Sequence, residues 1–85
     1  MGSASRTKPK YLAKKYLAIR EKLNLSQTEL AEKLSDSEIT VLRSDISRYE
    51  LGLRETSHII LMRYARLAKV SMETLVDDKL NLELK

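Results

Sequence analysis

Two short stretches of this chain decide its fold: Ser26-Gln27-Thr28-Glu29-Leu30-Ala31 and, after a turn, Ile46-Ser47-Arg48-Tyr49-Glu50-Leu51-Gly52. The first is typical of a capped helix start, because the Ser26 hydroxyl can accept from the backbone N–H of Glu29 while the Glu29 carboxylate reaches back to the Ser26 N–H. Leu25 and Leu30 have the spacing of a hydrophobic staple around that cap. The second stretch ends in a glycine, which favours the left-handed conformation that stops a helix. Two successive helices are therefore predicted.

The rest of the chain is also predicted to be helical, since it holds two glycines and one proline and its apolar residues recur at intervals of three and four. Five helices are expected: from Pro9 to about Asn24, from Gln27 to Leu34, from Val41 to Leu51, from His58 to Ala68, and a short last helix carrying Met72, Leu75 and Val76. Thr40, Ser57 and Ser71 are the expected caps of the last three. From Leu80 to Leu84 apolar and polar residues alternate, which indicates an extended strand.

Helical spacing assigns an inner and an outer face to the third and fourth helices. On the third helix the inward set is Leu42, Ile46, Tyr49 and Glu50, and the outward set is Arg43, Ser44, Ser47, Arg48 and Leu51. The fourth helix is expected to bury Leu61, Met62, Ala65 and Ala68, with Tyr64 at the margin. The outward set is mostly short or cationic, so this helix could approach a nucleic-acid groove closely. An ordinary solvated surface helix is the alternative interpretation.

Composition bounds the class of protein. Eighty-five residues suffice for one small domain. The chain has no cysteine, so neither a disulfide nor a thiolate zinc site can supplement its core. Because secreted small domains often depend on disulfides, a reducing cytoplasm is the expected location. The longest apolar run, Ile59 to Met62, is far shorter than the roughly 20 residues of a membrane span. With one histidine, His58, and no glycine-rich phosphate loop, no enzyme and no small-molecule ligand are expected. Asp77 and Asp78 lack a third ligand at a suitable spacing, so no metal or other cofactor is expected.

The net charge of +4 is unevenly distributed along the chain. Residues 1 to 22 hold seven lysines and arginines against one acid, Glu21, whereas residues 71 to 85 hold four acids against two lysines. This polarity fits a protein with one face toward a polyanion, although a solvated helix face explains the charge equally well.

Residues 17 to 76 together resemble the helix-turn-helix domain of the Cro/C1 (lambda repressor-like, XRE) family of transcription regulators. The elements that carry the resemblance are Ile19-Arg20, Leu25-Ser26-Gln27 with Leu30-Ala31, Ile46 to Gly52, and Ala65 to Leu75. The resemblance implies an all-α, compact domain of five helices whose third helix reads DNA.

The resemblance also implies roles for individual positions. The DNA-contacting positions would be Ser26, Gln27, Arg43, Ser44, Ser47, Arg48 and Arg54. Gln27 would contact a phosphate at the positively polarised start of helix two and buttress the reading helix, with Ser26 as cap and phosphate neighbour. The positions on helix three would lie in the major groove, and Arg54 would contact the DNA backbone. Arg20 and Glu50 would form a structural ion pair between helix one and helix three.

Several positions depart from the family pattern. The turn from Ser35 to Arg43 is about five residues longer than the tight connection of a helix-turn-helix unit and lacks its glycine. Asp36 and Glu38 bring negative charge near the expected groove, so the lengthened turn would either read DNA or avoid it. Thr56 stands where the family often has proline. Lys69 stands where a helix-ending glycine is common, a left-handed position that costs a lysine about 1 kcal/mol.

The predicted organisation is a flexible basic arm over residues 1 to 8, a helix-turn-helix domain over residues 9 to 78 and a tail over residues 79 to 85. The basic residues from Arg6 to Lys15 are expected to follow the DNA backbone or enter a minor groove. The expected function is that of a sequence-specific double-stranded DNA-binding transcription regulator, a repressor, acting as a homodimer through helix five and the tail leucines Leu80, Leu82 and Leu84. The alternative is a protein-interaction or dimerisation module, or an antitoxin, with secondary or no DNA binding.

Overall fold

The computed structural model describes residues 9–83, and this part of the chain contains five helices and no strand. The helices are α1 (Leu12–Lys22), α2 (Gln27–Leu34), α3 (Arg43–Leu51), α4 (His58–Ala68) and α5 (Met72–Val76). α3 packs against α1 and α2, and α5 packs against α1 and α4. The predicted all-α fold, with a lengthened turn between α2 and α3, is confirmed.

Three tyrosines form the centre of the hydrophobic core. The Tyr16 ring stacks on the Tyr64 ring with centroids 4.0 Å apart, and Tyr49 contacts both at larger angles. Tyr64 is fully buried, so its predicted place at the margin of α4 is wrong, because the ring stacks on Tyr16 across the interior. Burial raises the pKa of Tyr16 to about 12. The Tyr16 hydroxyl shares a hydrogen bond of 2.7 Å with the hydroxyl of Thr56.

The helix ends follow local sequence signals. α2 and α4 have the predicted bounds. At α2 the Glu29 N–H donates to Ser26 Oγ at 3.0 Å and the Ser26 N–H donates to the Glu29 carboxylate at 2.8 Å, which confirms the predicted capping box. Ser57 and Ser71 accept from the first turns of α4 and α5, as predicted. Residues of positive φ follow α1, α3 and α4: Asn24 (57°), Gly52 (73°) and Lys69 (60°).

α3 begins two residues later than the predicted Val41. Its N-cap is Leu42 rather than Thr40, and the Asp45 carboxylate accepts from the Leu42 N–H at 3.0 Å. Val41 is buried before the helix starts, whereas Leu42 is 57% exposed, so the inward assignment of Leu42 is wrong. The lengthened turn causes the later start of α3, because the Ser35 hydroxyl accepts from the Val41 N–H at 2.8 Å and holds Val41 against the core.

The lengthened turn is an ordered loop fastened to α4. The Asp36 carboxylate accepts from the N–H groups of Glu38 and Ile39, both at 2.8 Å. Arg63 of α4 donates to the same carboxylate at 2.6 Å and to the Leu34 carbonyl at 2.7 Å. The two backbone donors, and then Arg63, hold the pKa of Asp36 below its ordinary value. The negative charge of Asp36 is therefore matched by a cation of the protein itself.

The start of α1 is capped from the opposite end of the chain. The helix begins at Leu12 rather than at Pro9, and its N-cap residue Tyr11 offers no side-chain cap. The Asp78 carboxylate instead accepts from the N–H groups of Lys10 at 2.9 Å and Tyr11 at 3.2 Å. Pro9 lies outside the helix, and this carboxylate takes up the backbone donors that precede Leu12. The backbone donor at Lys10 is the main reason that the pKa of Asp78 is lowered.

Asp78→Asn is expected to make folding less sensitive to acid. A carboxylate whose pKa is lower in the folded chain stabilises the fold above its unfolded pKa, and this contribution is lost as the pH falls through the folded pKa. For Asp78 the loss is expected below about pH 4. Urea unfolding at about pH 7 and about pH 3 should therefore give a smaller difference in Asp78→Asn than in the parent. Glu32→Gln on the exposed face of α2 is the charge-matched control, and an unchanged difference in Asp78→Asn would refute the capping role.

Lys15 is buried, with 7% of its surface exposed. Its ammonium lies within hydrogen-bonding distance of four backbone carbonyls: Thr74 (2.7 Å), Leu75 (3.3 Å), Asp77 (3.1 Å) and Leu80 (3.0 Å). Carbonyls at the end of a helix have no partner within the helix, and here Lys15 supplies one. The expectation that Lys15 belongs to a DNA-binding arm is therefore wrong. Arg6 and Lys8 of that arm lie outside the described residues.

Residues 79 to 83 of the tail fold back on the bundle instead of forming a strand. No strand occurs from residue 80 to residue 83, so the strand predicted there from the alternation of apolar and polar residues is wrong. The Leu80 N–H donates to the Asp77 carbonyl at 3.0 Å in a turn, and Leu82 packs on the core. Leu82 thus has a place within one chain, whereas Leu80 is 36% exposed. Leu84 lies outside the described residues.

Candidate nucleic-acid interface

The outer face of α3 is the candidate interface. Arg43, Ser44 and Arg48 are exposed and Ser47 is half-buried, while Ile46 and Tyr49 on the opposite side fasten α3 to the core. Residues four apart share a helix face, so two arginine and two serine positions form one surface. Short serines allow close approach of a groove, and arginine can donate to guanine edges or to phosphates.

A hydrogen-bonded network connects this face to α1. Arg20 Nε lies 2.6 Å from Glu50 Oε2, and Arg20 Nη2 lies 3.1 Å from Glu50 Oε1, which makes a bidentate ion pair. The hydrogen bond to Glu50 raises the pKa of Arg20. Gln27 Nε2 donates to Glu50 Oε1 at 3.1 Å, and Arg43 Nη1 donates to Gln27 Oε1 at 3.4 Å. The position of the α3 arginine is thus coupled to the ion pair through one amide.

The start of α2 lies at the edge of this network. The Gln27 amide has two N–H donors, and the bond to Glu50 uses one of them, so the other can donate to a phosphate. Ser26 is exposed, and its oxygen is used as an acceptor by the cap while its O–H can still donate. Both residues stand where the helix dipole adds positive potential.

A second cluster joins the start of α3 to the loop that follows it. Asp45 Oδ1 accepts from Arg54 Nη1 at 2.8 Å and lies 3.9 Å from Arg48 Nη1. The Asp45 side chain is 14% exposed, and the side chains of both arginines are 54% exposed. Sequence reasoning named both arginines and missed Asp45. An acid in the first turn of a helix is common, and nothing in the local pattern shows that it also meets a residue beyond the helix.

The comparison with protein families agrees with this geometry. A family model described as helix-turn-helix matches residues 17–75, a range that includes α2, α3 and α4 completely. The chain belongs to this family. It is a helix-turn-helix protein of the Cro/C1 (XRE) type, a family of DNA-binding regulators, and the resemblance stated from the sequence is confirmed. Among curated proteins, none matches the chain.

Two further observations describe this helix-turn-helix domain. Within residues 9–83, no three histidine, cysteine, aspartate or glutamate side chains are grouped so as to hold a metal ion. In the same range, every helix is too short or too polar to cross a membrane.

Proposed function

We propose that this chain is a sequence-specific double-stranded DNA-binding transcription regulator that reads the major groove with α3. The observation that carries the proposal is the joint placement of an exposed cationic face on α3 with Gln27 and Arg54 at its edges. Base edges read by α3 would give specificity, and the flanking groups would hold phosphates and fix the register. Hydrogen bonds that support this proposal already connect Gln27 to Glu50 and Arg54 to Asp45.

The proposed regulator acts as a repressor in a prokaryotic cytoplasm. Occupying an operator is sufficient for repression where the bound protein excludes the transcription machinery, so the proposed interface needs no catalytic group. Ser44 and Ser47 would permit close approach to the bases, while Arg43 and Arg48 would donate to them.

Selection of bound sites from a random duplex pool tests the proposal directly. The expected result is an enriched motif, bound with an affinity that falls steeply with salt because phosphate contacts release counterions. A protein that enriches no motif and retards no duplex at any salt concentration would overturn the proposal. That outcome would instead support the partner-binding or antitoxin alternative.

Arg43→Ala and Arg54→Ala are expected to weaken DNA binding in different ways. Loss of a base-reading arginine should cost about 1 to 3 kcal/mol on the selected site and relax its sequence preference. Loss of a phosphate contact should weaken binding to all sequences alike and make the salt slope shallower by about 1. Gel retardation on the selected and a shuffled duplex over a salt series distinguishes the two. Lys69→Ala, after α4, is the control, and equal behaviour of the two arginine variants would contradict the assignment.

We further propose that the regulator is a homodimer whose contact includes the exposed side of α5 and Leu80. Val76 is 38% and Leu80 36% exposed. Regulators of this kind bind half-sites about one helical turn apart, roughly 34 Å, which suits a two-fold dimer. Leu80→Glu is expected to halve the mass measured by sedimentation, while the backbone carbonyl that Lys15 uses stays in place. Leu53→Glu is the matched control, because Leu53 lies in the α3–α4 loop and is 74% exposed. A Leu80→Glu protein with the mass of the parent dimer would show that Leu80 does not take part in the dimer contact.

A further inference from the structure

We propose that Asp45 is a specificity-determining residue of the DNA interface, acting through Arg48 and Arg54. It would keep the two arginines in the orientation that the correct site needs, and it would weaken binding to DNA of other sequences. The inference rests on the proposed function above and adds to it a carboxylate that opposes unspecific binding.

Both oxygens of the Asp45 carboxylate already have partners. Oδ2 accepts from the Leu42 N–H at 3.0 Å, and Oδ1 accepts from Arg54 Nη1 at 2.8 Å. The side chain is 14% exposed, so it is poorly placed to reach a base edge itself. Any influence of this carboxylate on DNA must therefore pass through the arginines it holds and through its charge.

The pair with Asp45 leaves Arg54 able to bind a phosphate. A guanidinium has five N–H donors, and the pair uses one Nη1 hydrogen, so Arg54 can keep its carboxylate partner while it donates to DNA. A side chain that is already ordered loses less rotamer freedom on binding. On the correct site, where α3 lies fully in the groove, this pre-ordering would favour the complex.

Binding to DNA of arbitrary sequence relies on phosphate contacts alone and is dominated by charge. A carboxylate in the first turn of α3 subtracts from the positive potential there and repels phosphates. It also restrains Arg54 through a hydrogen bond of 2.8 Å and attracts Arg48 from 3.9 Å, so that both are less able to turn toward whichever phosphate is nearest. The same carboxylate thus favours the correct complex through order and disfavours the others through charge.

Asp45→Asn tests the inference because it keeps the shape and one acceptor oxygen while it removes the charge. The probes are a duplex selected by the parent protein and a shuffled duplex of the same composition. Glu32→Gln is the control, since it removes the same charge from the exposed face of α2 and leaves the lengthened turn and its Asp36 unchanged. Thermal melting of each variant shows whether it is folded.

For Asp45→Asn, the salt slope on the shuffled duplex should become steeper by about 0.9, as for one added phosphate contact. Its shuffled-duplex affinity at about 50 mM salt should rise about tenfold, with no gain on the selected duplex, so the ratio of the two affinities falls. Glu32→Gln should leave that ratio unchanged. Equal ratios in the parent and both variants, or an equal fall in both variants, would overturn the inference.

Asp45→Glu provides a second test, including the case in which the asparagine variant does not fold. Glutamate is well tolerated three residues after an N-cap, and it keeps the charge while moving the carboxylate by one methylene. The Asp45→Glu variant should bind the shuffled duplex as weakly as the parent does, and it should bind the selected duplex less tightly than the parent. Tighter binding of this variant to the shuffled duplex would contradict the role of charge. If the parent protein binds no duplex, the proposed function is overturned as well. If the parent binds DNA in a salt-dependent way and neither Asp45→Asn nor Asp45→Glu alters the ratio of the two affinities, only the role of Asp45 is overturned.

Discussion

Replacing Glu50 by alanine is expected to lower the free energy of unfolding by about 3 kcal/mol, because removing one partner of a buried ion pair leaves the other without compensation. The Glu50 side chain is 6% exposed and that of Arg20 is 20% exposed, so solvent can replace little of what is lost. Gln27 would also lose its acceptor. Urea and thermal unfolding measure the change.

Two controls separate the ion pair from other effects of the Glu50 substitution. Glu50→Gln keeps the shape and an acceptor oxygen and should be less destabilising, while Glu32→Ala on the exposed face of α2 should change stability little. Because Gln27 and Arg43 are linked to Glu50, DNA affinity should also fall in Glu50→Ala at temperatures at which it is still folded. A melting temperature lowered by less than about 4 °C, the equivalent of about 1 kcal/mol in a small domain, would show that the pair contributes little.

The second large effect is expected at Lys15, where replacement by methionine should lower the free energy of unfolding by about 3 kcal/mol. Hydrogen bonds to a charged group contribute about 1.5 to 3 kcal/mol, and the carbonyls left without a donor add a desolvation cost. Methionine can fill much of the space of the lysine stem. The loss would therefore come from the ammonium that joins α1 to the end of α5 and the tail.

Lys14→Met is the matched control for Lys15→Met, because Lys14 is the exposed neighbour on the same helix and the charge change is identical. Amide hydrogen exchange should also become faster from residue 77 to residue 83 in Lys15→Met and not in Lys14→Met. Equal stabilities of the two variants would mean that Lys15 contributes charge alone and does not hold the tail.

The candidate site was predicted in part from the sequence. Gln27, Arg43, Ser44, Ser47, Arg48 and Arg54 follow from the family resemblance, and the structure places them around α3. The variants above test whether these residues contact DNA. Asp45 was missed because its Arg54 partner lies 9 residues away, across the glycine that ends α3. Helical spacing relates residues three or four apart and carries no information about such a contact.

The sequence by itself determined the five helices, the bounds of α2 and α4, the capping box at Ser26 and the left-handed stop at Gly52. Each depends on groups within a few residues of one another, so the local order of side chains is sufficient. Only the tertiary structure decided three longer contacts. Asp78 caps α1 from a position 68 residues away, and Lys15 binds carbonyls at the end of α5 and in the tail that lie 59 to 65 residues away. Arg63 holds the lengthened turn through Asp36, which is 27 residues away. These partners meet because packing of the core brings unsatisfied backbone and charged groups together. A free carbonyl then accepts from, and a free N–H donates to, whichever partner the fold places beside it.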